Sequence, residues 1–239
     1  MTTAASRKVL ERALERQGLR LRGGWIPTPQ DLLPALPHGA AAAVVWMVGQ
    51  VGSACWAAFS GSRFYSDGKP DPMDRWSKSI GDALAQAHGG VAVYPSDGPP
   101  YAPFQQWARR AEPQLQASPL MLQIHPRWGL WHAYRFALVL PALAAADAPA
   151  LASGVPAVAA TDICLRCDGQ PCLQRCPVEA FSARGYDTDA CAGHLHRPEG
   201  RDCVDQGCLA RRVCPVATEL QYVPPHAAFH MRAFVSSRH

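Results

Sequence analysis

Eight of the nine cysteines lie in one short segment of the chain, between Cys164 and Pro215. They form two blocks of four, and each block ends in a Cys-Pro pair. The first block contains Cys164, Cys167, Cys172 and Cys176, and the second contains Cys191, Cys203, Cys208 and Cys214. Eight thiols in one segment are typical of metal centres or disulfide frameworks. The fold of this segment must therefore bring the thiols together around a metal centre or in disulfide bonds.

The repeated Cys-Pro ending favours two [4Fe–4S] clusters over other centres. In two-cluster ferredoxins the Cys that precedes Pro binds the cluster of the other block. This rule assigns to cluster 1 the residues Cys164, Cys167, Cys172 and Cys214. It assigns to cluster 2 the residues Cys176, Cys191, Cys203 and Cys208. The spacings are looser than in ferredoxins, because four residues separate Cys167 from Cys172 and eleven separate Cys191 from Cys203. The cysteine pattern therefore supports the number of clusters more strongly than it supports the crossover of ligands between the blocks.

Two other interpretations of the cysteines remain. Two structural zinc sites would also use four thiolates each, and His194 or His196 could join them. A disulfide framework is disfavoured because the N-terminus does not resemble an export signal, which also predicts a cytoplasmic location. The ninth cysteine, Cys55, lies among small apolar residues and is predicted to be a buried structural thiol.

Composition limits the classes of partner. The chain has 239 residues, 48% hydrophobic and 18% charged, with a formal net charge of +4. Two oxidised clusters would add a charge of about −2 each, so the loaded protein is expected to be near neutral. Neutrality argues against a nucleic-acid partner. The Ala-rich stretch 142–160 is interrupted by Asp147, Pro149, Gly154 and Pro156, so no membrane span is predicted.

The remaining periodicity predicts an α+β fold. Helices are expected over 5–17, 52–60, 72–88 and 104–112, and strands over 19–22, 40–48, 91–94, 120–124 and 131–140. The last two strands flank a tight R-W-G turn and are expected to form a hairpin. We predict a first domain over 1–145, a linker over 146–160 and a cysteine-containing domain over 161–239.

Alternation along the last strand places Arg135 on a face with small neighbours. This face carries Trp131, Ala133, Arg135, Ala137 and Val139, whereas the other face is expected to be core. A cation between two alanines leaves room for a bulky anionic or amide-rich ligand. The alternative is an exposed Arg on a strand that faces solvent.

Residues 124–141 read I-H-P-R-W-G-L-W-H-A-Y-R-F-A-L-V-L-P. This stretch resembles the hairpin of the cobalamin-processing family of the CblC type, and weaker likeness extends over residues 8–141. The resemblance implies a nitroreductase-like mixed sheet with flanking helices, which binds cobalamin base-off and removes its upper axial ligand. It implies that Arg135, His125, Arg127 and Trp131 line the cobalamin pocket. Through the nitroreductase likeness it also implies two further expectations: flavin as a ligand that is less favoured than cobalamin, and a homodimer.

The C-terminal part departs from that family and resembles the ferredoxin-like two-cluster module of epoxyqueuosine reductases and reductive dehalogenases. We therefore predict a cobalamin-binding iron–sulfur oxidoreductase of the corrinoid reductase or decyanase type. An external low-potential donor would supply its electrons, and the corrinoid could be substrate, cargo or cofactor. Two alternatives remain open: a ferredoxin-type electron-transfer protein without cobalamin, and a cobalamin-dependent reductase of an organic substrate. No catalytic residue is predicted, because the sequence shows no Ser/His/Asp set or carboxylate pair.

Overall fold

The computed structural model describes residues 6–152 and 162–238. The helices in this part of the chain are α1 (Arg7–Glu15), α2 (Trp56–Ser60), α3 (Arg63–Ser66), α4 (Pro72–Ala87), α5 (Phe104–Ala111), α6 (Ala148–Ala152), α7 (Pro171–Gln174), α8 (Thr188–Leu195), α9 (Arg201–Gln206), α10 (Leu209–Arg212) and α11 (Pro224–Ser236). The strands are β1 (Arg20–Trp25), β2 (Val44–Val51), β3 (Val91–Val93), β4 (Gln116–Ala117), β5 (Gln123–Ile124), β6 (His132–Leu140), β7 (Phe181–Ser182) and β8 (Gly185–Tyr186). The predicted α+β class is confirmed.

The described residues divide into two compact units. The first unit draws on Met1–Gln50, Ala54–Pro113 and Ala133–Ala157, and the second on Val51–Ser53, Gln114–His132 and Val158–His239. This division differs from the predicted domain boundaries, because residues 114–132 group with the cysteine-containing segment. Within the predicted linker 146–160, Ala148–Ala152 forms α6 and residues 153–160 lie outside the described residues.

The main sheet has the strand order β1-β2-β6-β3. β1 runs antiparallel to β2, with Trp25 opposite Val45, and β3 runs antiparallel to β6. The Ala43 N–H donates to the Leu140 carbonyl at 2.8 Å, as expected where β2 and β6 also run in opposite directions. The predicted mixed sheet is therefore wrong for the part that the structure describes. Neighbouring strands alternate in direction throughout, as in sheets that need no parallel crossover.

The helix α4 begins and ends as the sequence predicts. Its apolar side buries Met73, Trp76 and Ala85. Pro72 occupies the first turn, where a missing N–H costs nothing, and Gly89 follows the helix at φ +67. Regular 3.6-residue periodicity with both end signals thus sufficed to place this helix.

The second half of β6 is buried on both faces, from Phe136 to Leu140. On one side Phe136 packs near Tyr94, with the ring centroids 6.0 Å apart. Ala137 and Val139 belong to a core cluster together with Trp25 and Trp107. The expected open face therefore ends before Ala137, because side chains of β1 and α5 fill the space beside it.

The predicted hairpin between β5 and β6 is not formed. β5 pairs with β4, with Ile124 opposite Gln116, whereas β6 lies between β2 and β3 in the main sheet. An isolated bridge from His125 to Gly129 closes the R-W-G turn, and Gly129 adopts φ +55. The long, doubly buried β6 takes a central position, where both of its edges are paired.

Among the described helices, none combines the length and the apolar composition that a membrane span requires.

Candidate functional site

Four thiols of the second unit line one cavity. They are Cys164, Cys167, Cys172 and Cys214, the residues that the Cys-Pro rule assigns to cluster 1. Cys172 lies in α7, and Cys214 follows α10, so two separate segments supply the group. The cavity has an empty volume of about 390 Å³, part of it open to solvent, and Leu120, Ile124 and Leu130 form part of its wall. An apolar wall with thiols as its donors suits a soft metal centre.

Burial first, and then the neighbouring thiols Cys214, Cys172 and Cys167, raise the pKa of Cys164 to about 11. Burial also raises the pKa of Cys172 and of Cys214. The guanidinium of Arg211 opposes the shift at Cys214. Most of these thiols are therefore neutral at pH 7 until a cation displaces their protons.

A second group of thiols forms among the neighbouring helices. Cys191 lies in α8, Cys203 lies in α9, and Cys208 occupies the N-cap of α10. Burial raises the pKa of Cys191, and Cys176 and Cys203 lie close enough to raise it further. Cys203 and Cys191 likewise raise the pKa of Cys208. These four thiols are the residues assigned to cluster 2. Burial raises the pKa of Cys208 to about 11.

Hydrogen-bond donors approach the sulfurs of this second group. The Ala180 N–H donates to Cys176 Sγ at 3.3 Å. The Tyr186 side chain hydrogen-bonds Cys191, and its ring stacks on Phe181 with centroids 4.7 Å apart. Donors to ligand sulfurs are a principal means of tuning the potential of an iron–sulfur cluster. No motif in the sequence indicated that Tyr186, a residue of the short strand β8, would contact a thiol.

The described side chains include no group that converges on a single metal ion. Among the described residues, no three His, Cys, Asp or Glu side chains converge closely enough to hold one, and this includes His194 and His196. All nine cysteines lie in the described part and are free thiols, so no disulfide framework is formed. The assignment of the eight thiols as cluster ligands stays a prediction.

Arg135, the first candidate for cobalamin binding, is partly buried in the first unit. Its Nε donates to the Gln50 side-chain oxygen at 2.6 Å. Its Nη2 is buried and has no hydrogen-bond partner among the described residues. Burial raises the pKa of Cys55 and of Asp74, and the Arg135 charge opposes both shifts. Cys55 is fully buried, as predicted.

A buried ion pair that the sequence did not reveal supports Gln50. Arg22 Nη2 lies 2.7 Å from Glu112 Oε2, and Arg22 is fully buried. Arg22 Nη1 donates to the Gln50 carbonyl at 3.3 Å, and the Tyr134 hydroxyl donates to Glu112. Because Gln50 holds Arg135 through its side chain, this network positions the candidate ligand-binding guanidinium.

The other three candidates belong to the second unit. The His125 Nδ1 accepts from the Arg127 N–H at 3.0 Å, and its ring stacks on Trp128 at 3.9 Å. His125 is 2% exposed, and its Nε2 lies 3.1 Å from the side-chain nitrogen of Gln114. Arg127 is exposed, and Trp131 packs against Tyr222 with the ring centroids 5.9 Å apart. A common pocket formed with Arg135 stays a prediction.

Comparison with known proteins adds no assignment to this chain. No protein-family profile matches it, and no curated protein matches it. Its function must therefore be argued from its own residues.

Proposed function

We propose that the chain is an iron–sulfur oxidoreductase that holds two [4Fe–4S] clusters, reduces a bound corrinoid and promotes loss of its upper axial ligand. The observation that supports this proposal most is the assembly of eight thiols into two groups of four. Each group includes the cysteine of the Cys-Pro pair from the other block, Cys214 in the first and Cys176 in the second.

The donor set fits such clusters. A cubane takes one thiolate at each of its four iron atoms, so its ligands stand further apart than those of a mononuclear zinc site. Thiols that group around a cavity without converging on one point fit this wider requirement. When bound, the clusters would supply single-electron transfer at low potential.

The chain's own residues would offset the charge of the thiolates. Burial favours neutral thiols, so loading the site must release protons to solvent. The Arg211 and Arg212 charges oppose the raised pKa values of Cys214 and Cys203, respectively. One guanidinium therefore acts on each group of thiols.

The corrinoid half of the proposal is supported by Arg135. A buried guanidinium nitrogen without a partner among the described residues can bind a carbonyl oxygen of a ligand, and a corrinoid carries many amide groups at its edge. The nitroreductase-like and ferredoxin-like assignments are part of this proposal. So are an external low-potential electron donor, a reducing compartment such as the cytoplasm, and homodimerisation.

One observation favours the alternative of an electron-transfer protein without cobalamin. Ala137 and Val139, which were expected to leave space beside Arg135, are fully buried in the core of the first unit. The space that was expected beside Arg135 is therefore filled on the side of Ala137 and Val139.

The cluster half is tested by anaerobic purification with parallel analysis of iron, acid-labile sulfide, zinc, cobalt and flavin. We expect about eight iron and about eight sulfide per chain. Cys214→Ser should lose the cluster of the first group, and Cys208→Ser should lose that of the second. Cys55→Ala, which removes the one thiol outside both groups, should keep the full content. Stoichiometric zinc without sulfide would refute the cluster assignment.

The corrinoid half is tested by anaerobic titration of the loaded protein with cobalamin, followed by absorbance. We expect a saturable spectral change that Arg135→Gln weakens and that Arg184→Gln, an exposed charge elsewhere, leaves intact. Cluster reduction with no spectral response to cobalamin would leave the electron-transfer alternative.

A further inference from the structure

The second unit contains a second cleft, whose lining shares no residue with the cavity of the first thiol group and includes one cobalamin candidate, Trp131. We call it the Trp131–Arg211 cleft, and its lining includes Trp131, Gly207, Cys208, Arg211, Tyr222 and His230. Its empty volume is about 370 Å³, part of it open to solvent. None of its lining residues, all of which the structure describes, is acidic.

Two buried donors in the lining have no acceptor. Trp131 Nε1 and Arg211 Nε are both buried without a hydrogen-bond partner among the described residues. Trp131 itself is only 3% exposed. Buried donors are nearly always paired in folded proteins, so two such atoms in one cleft indicate that an acceptor normally binds there.

Among the described residues, two aromatic rings and a carbonyl, rather than a carboxylate, hold the Arg211 side chain. Its guanidinium carbon lies 4.9 Å from the centre of the Trp131 ring and 4.5 Å from that of Tyr222. Its Nη2 donates to the Leu130 carbonyl. In the described part of the chain Arg211 forms no ion pair with a carboxylate, whereas its neighbour Arg212 pairs with Asp202.

We propose that the Trp131–Arg211 cleft binds an oxyanion, the carboxylate or phosphate group of a small molecule. Arg211 would supply the charge and its Nε–H, and Trp131 its indole N–H. A neutral acceptor such as water would satisfy the two donors but would leave the guanidinium without a carboxylate or phosphate partner. An anionic oxygen meets both requirements, because guanidinium and oxyanion form strong charge-assisted hydrogen bonds.

The cleft lies beside the second thiol group, since Cys208 forms part of its wall. The proposed donors, Trp131 and Arg211, are not assigned as cluster ligands, whereas Cys208 in the wall is one and the Arg211 charge acts on Cys214. Metal content and anion binding are therefore measured separately on the same sample.

The test is calorimetric titration of the full chain, purified anaerobically, with sodium acetate and with inorganic phosphate. Sodium chloride keeps the ionic strength constant, because weak binding to exposed charges is screened by salt. We expect saturable binding of at least one anion at a single site. Acetate binding alone would assign the site to carboxylates, and phosphate binding alone would assign it to phosphates.

Two variants locate the binding. Trp131→Phe keeps an aromatic ring but removes the indole N–H together with part of the ring system, and Arg211→Gln removes the charge. Each is expected to weaken binding on the order of tenfold or more, as for a lost hydrogen bond to a charged group. Arg184→Gln removes the same charge from an exposed residue and should bind as the wild type does.

Circular dichroism and metal analysis accompany each variant. If Arg211→Gln does not fold or loses metal, Trp131→Phe decides the question alone. Absence of saturable binding for both anions would overturn the proposal. So would unchanged affinity in a folded Trp131→Phe variant.

Discussion

Replacement of Glu112 by Gln is expected to destabilise the first unit by about 3–5 kcal/mol. Arg22 is fully buried, Glu112 is 5% exposed, and the two charges are 2.7 Å apart. Gln preserves the shape of the side chain but removes the negative charge that faces Arg22. A buried charge that has lost its partner costs far more than the intact pair contributes.

An exposed pair with the same shortest distance gives the control. Arg7 and Glu11 are also 2.7 Å apart, but their side chains are 46% and 32% exposed. Water screens this pair, so Glu11→Gln should cost no more than about 0.5 kcal/mol. The two pairs share their shortest distance, so the difference between the effects measures burial together with the additional bonds of Glu112 to Arg22 and Tyr134.

The assay is equilibrium unfolding in urea, followed by tryptophan fluorescence on anaerobic samples of equal metal content. The slope of the transition should stay constant while its midpoint falls. Replacing both partners, as in Arg22→Met with Glu112→Leu, should recover most of the loss because no unpaired charge remains. A Glu112→Gln variant within about 1 kcal/mol of the wild type would refute this account. A double variant as unstable as the single one would refute it equally.

Three further predictions concern the second unit. Gly129→Ala places a Cβ 2.3 Å from a backbone carbonyl oxygen at φ +55, and should cost at least about 2 kcal/mol in urea unfolding. Ser53→Ala removes the hydroxyl 3.0 Å from the Nδ1 of the fully buried His226 and should cost about 1–3 kcal/mol in the same assay, whereas an unchanged midpoint would contradict that role. In the loaded protein, Tyr186→Phe removes a hydrogen bond to Cys191 and should lower one cluster midpoint potential in a redox titration followed by EPR; equal potentials in both proteins would argue against this contact.

The sequence predicted elements well where a local pattern was complete. Pro72, the apolar stripe and Gly89 together placed α4, because helix periodicity and its end signals are local properties. The assignment of the eight thiols to two clusters, which rests on the two Cys-Pro pairs, stays a prediction.

The sequence failed where long-range packing decides the structure. β6 contains a continuous apolar run, and the alternation rule could not show that side chains of β1 and α5 cover its second face. The pairing of β5 with β4 depends on residues 116–117, which carry no strand signal of their own. Arg22 alternates with leucines in the predicted strand 19–22, and this pattern did not indicate that its side chain meets Glu112 in the core. The side-chain contacts of the site, such as those of Arg211 and Tyr186, required the folded chain.

The crossed arrangement of the cysteines has a consequence for biosynthesis. Cys176, from the first block, belongs to the group of four thiols, or quartet, that contains Cys208. Cys214, from the second block, belongs to the other quartet, so neither quartet is contained in one block of the sequence. During translation the quartet that contains Cys208 becomes complete before the quartet that awaits Cys214. Any cargo that needs all four sulfurs can therefore be installed only after the ribosome has passed these positions, with the Cys208 quartet available first.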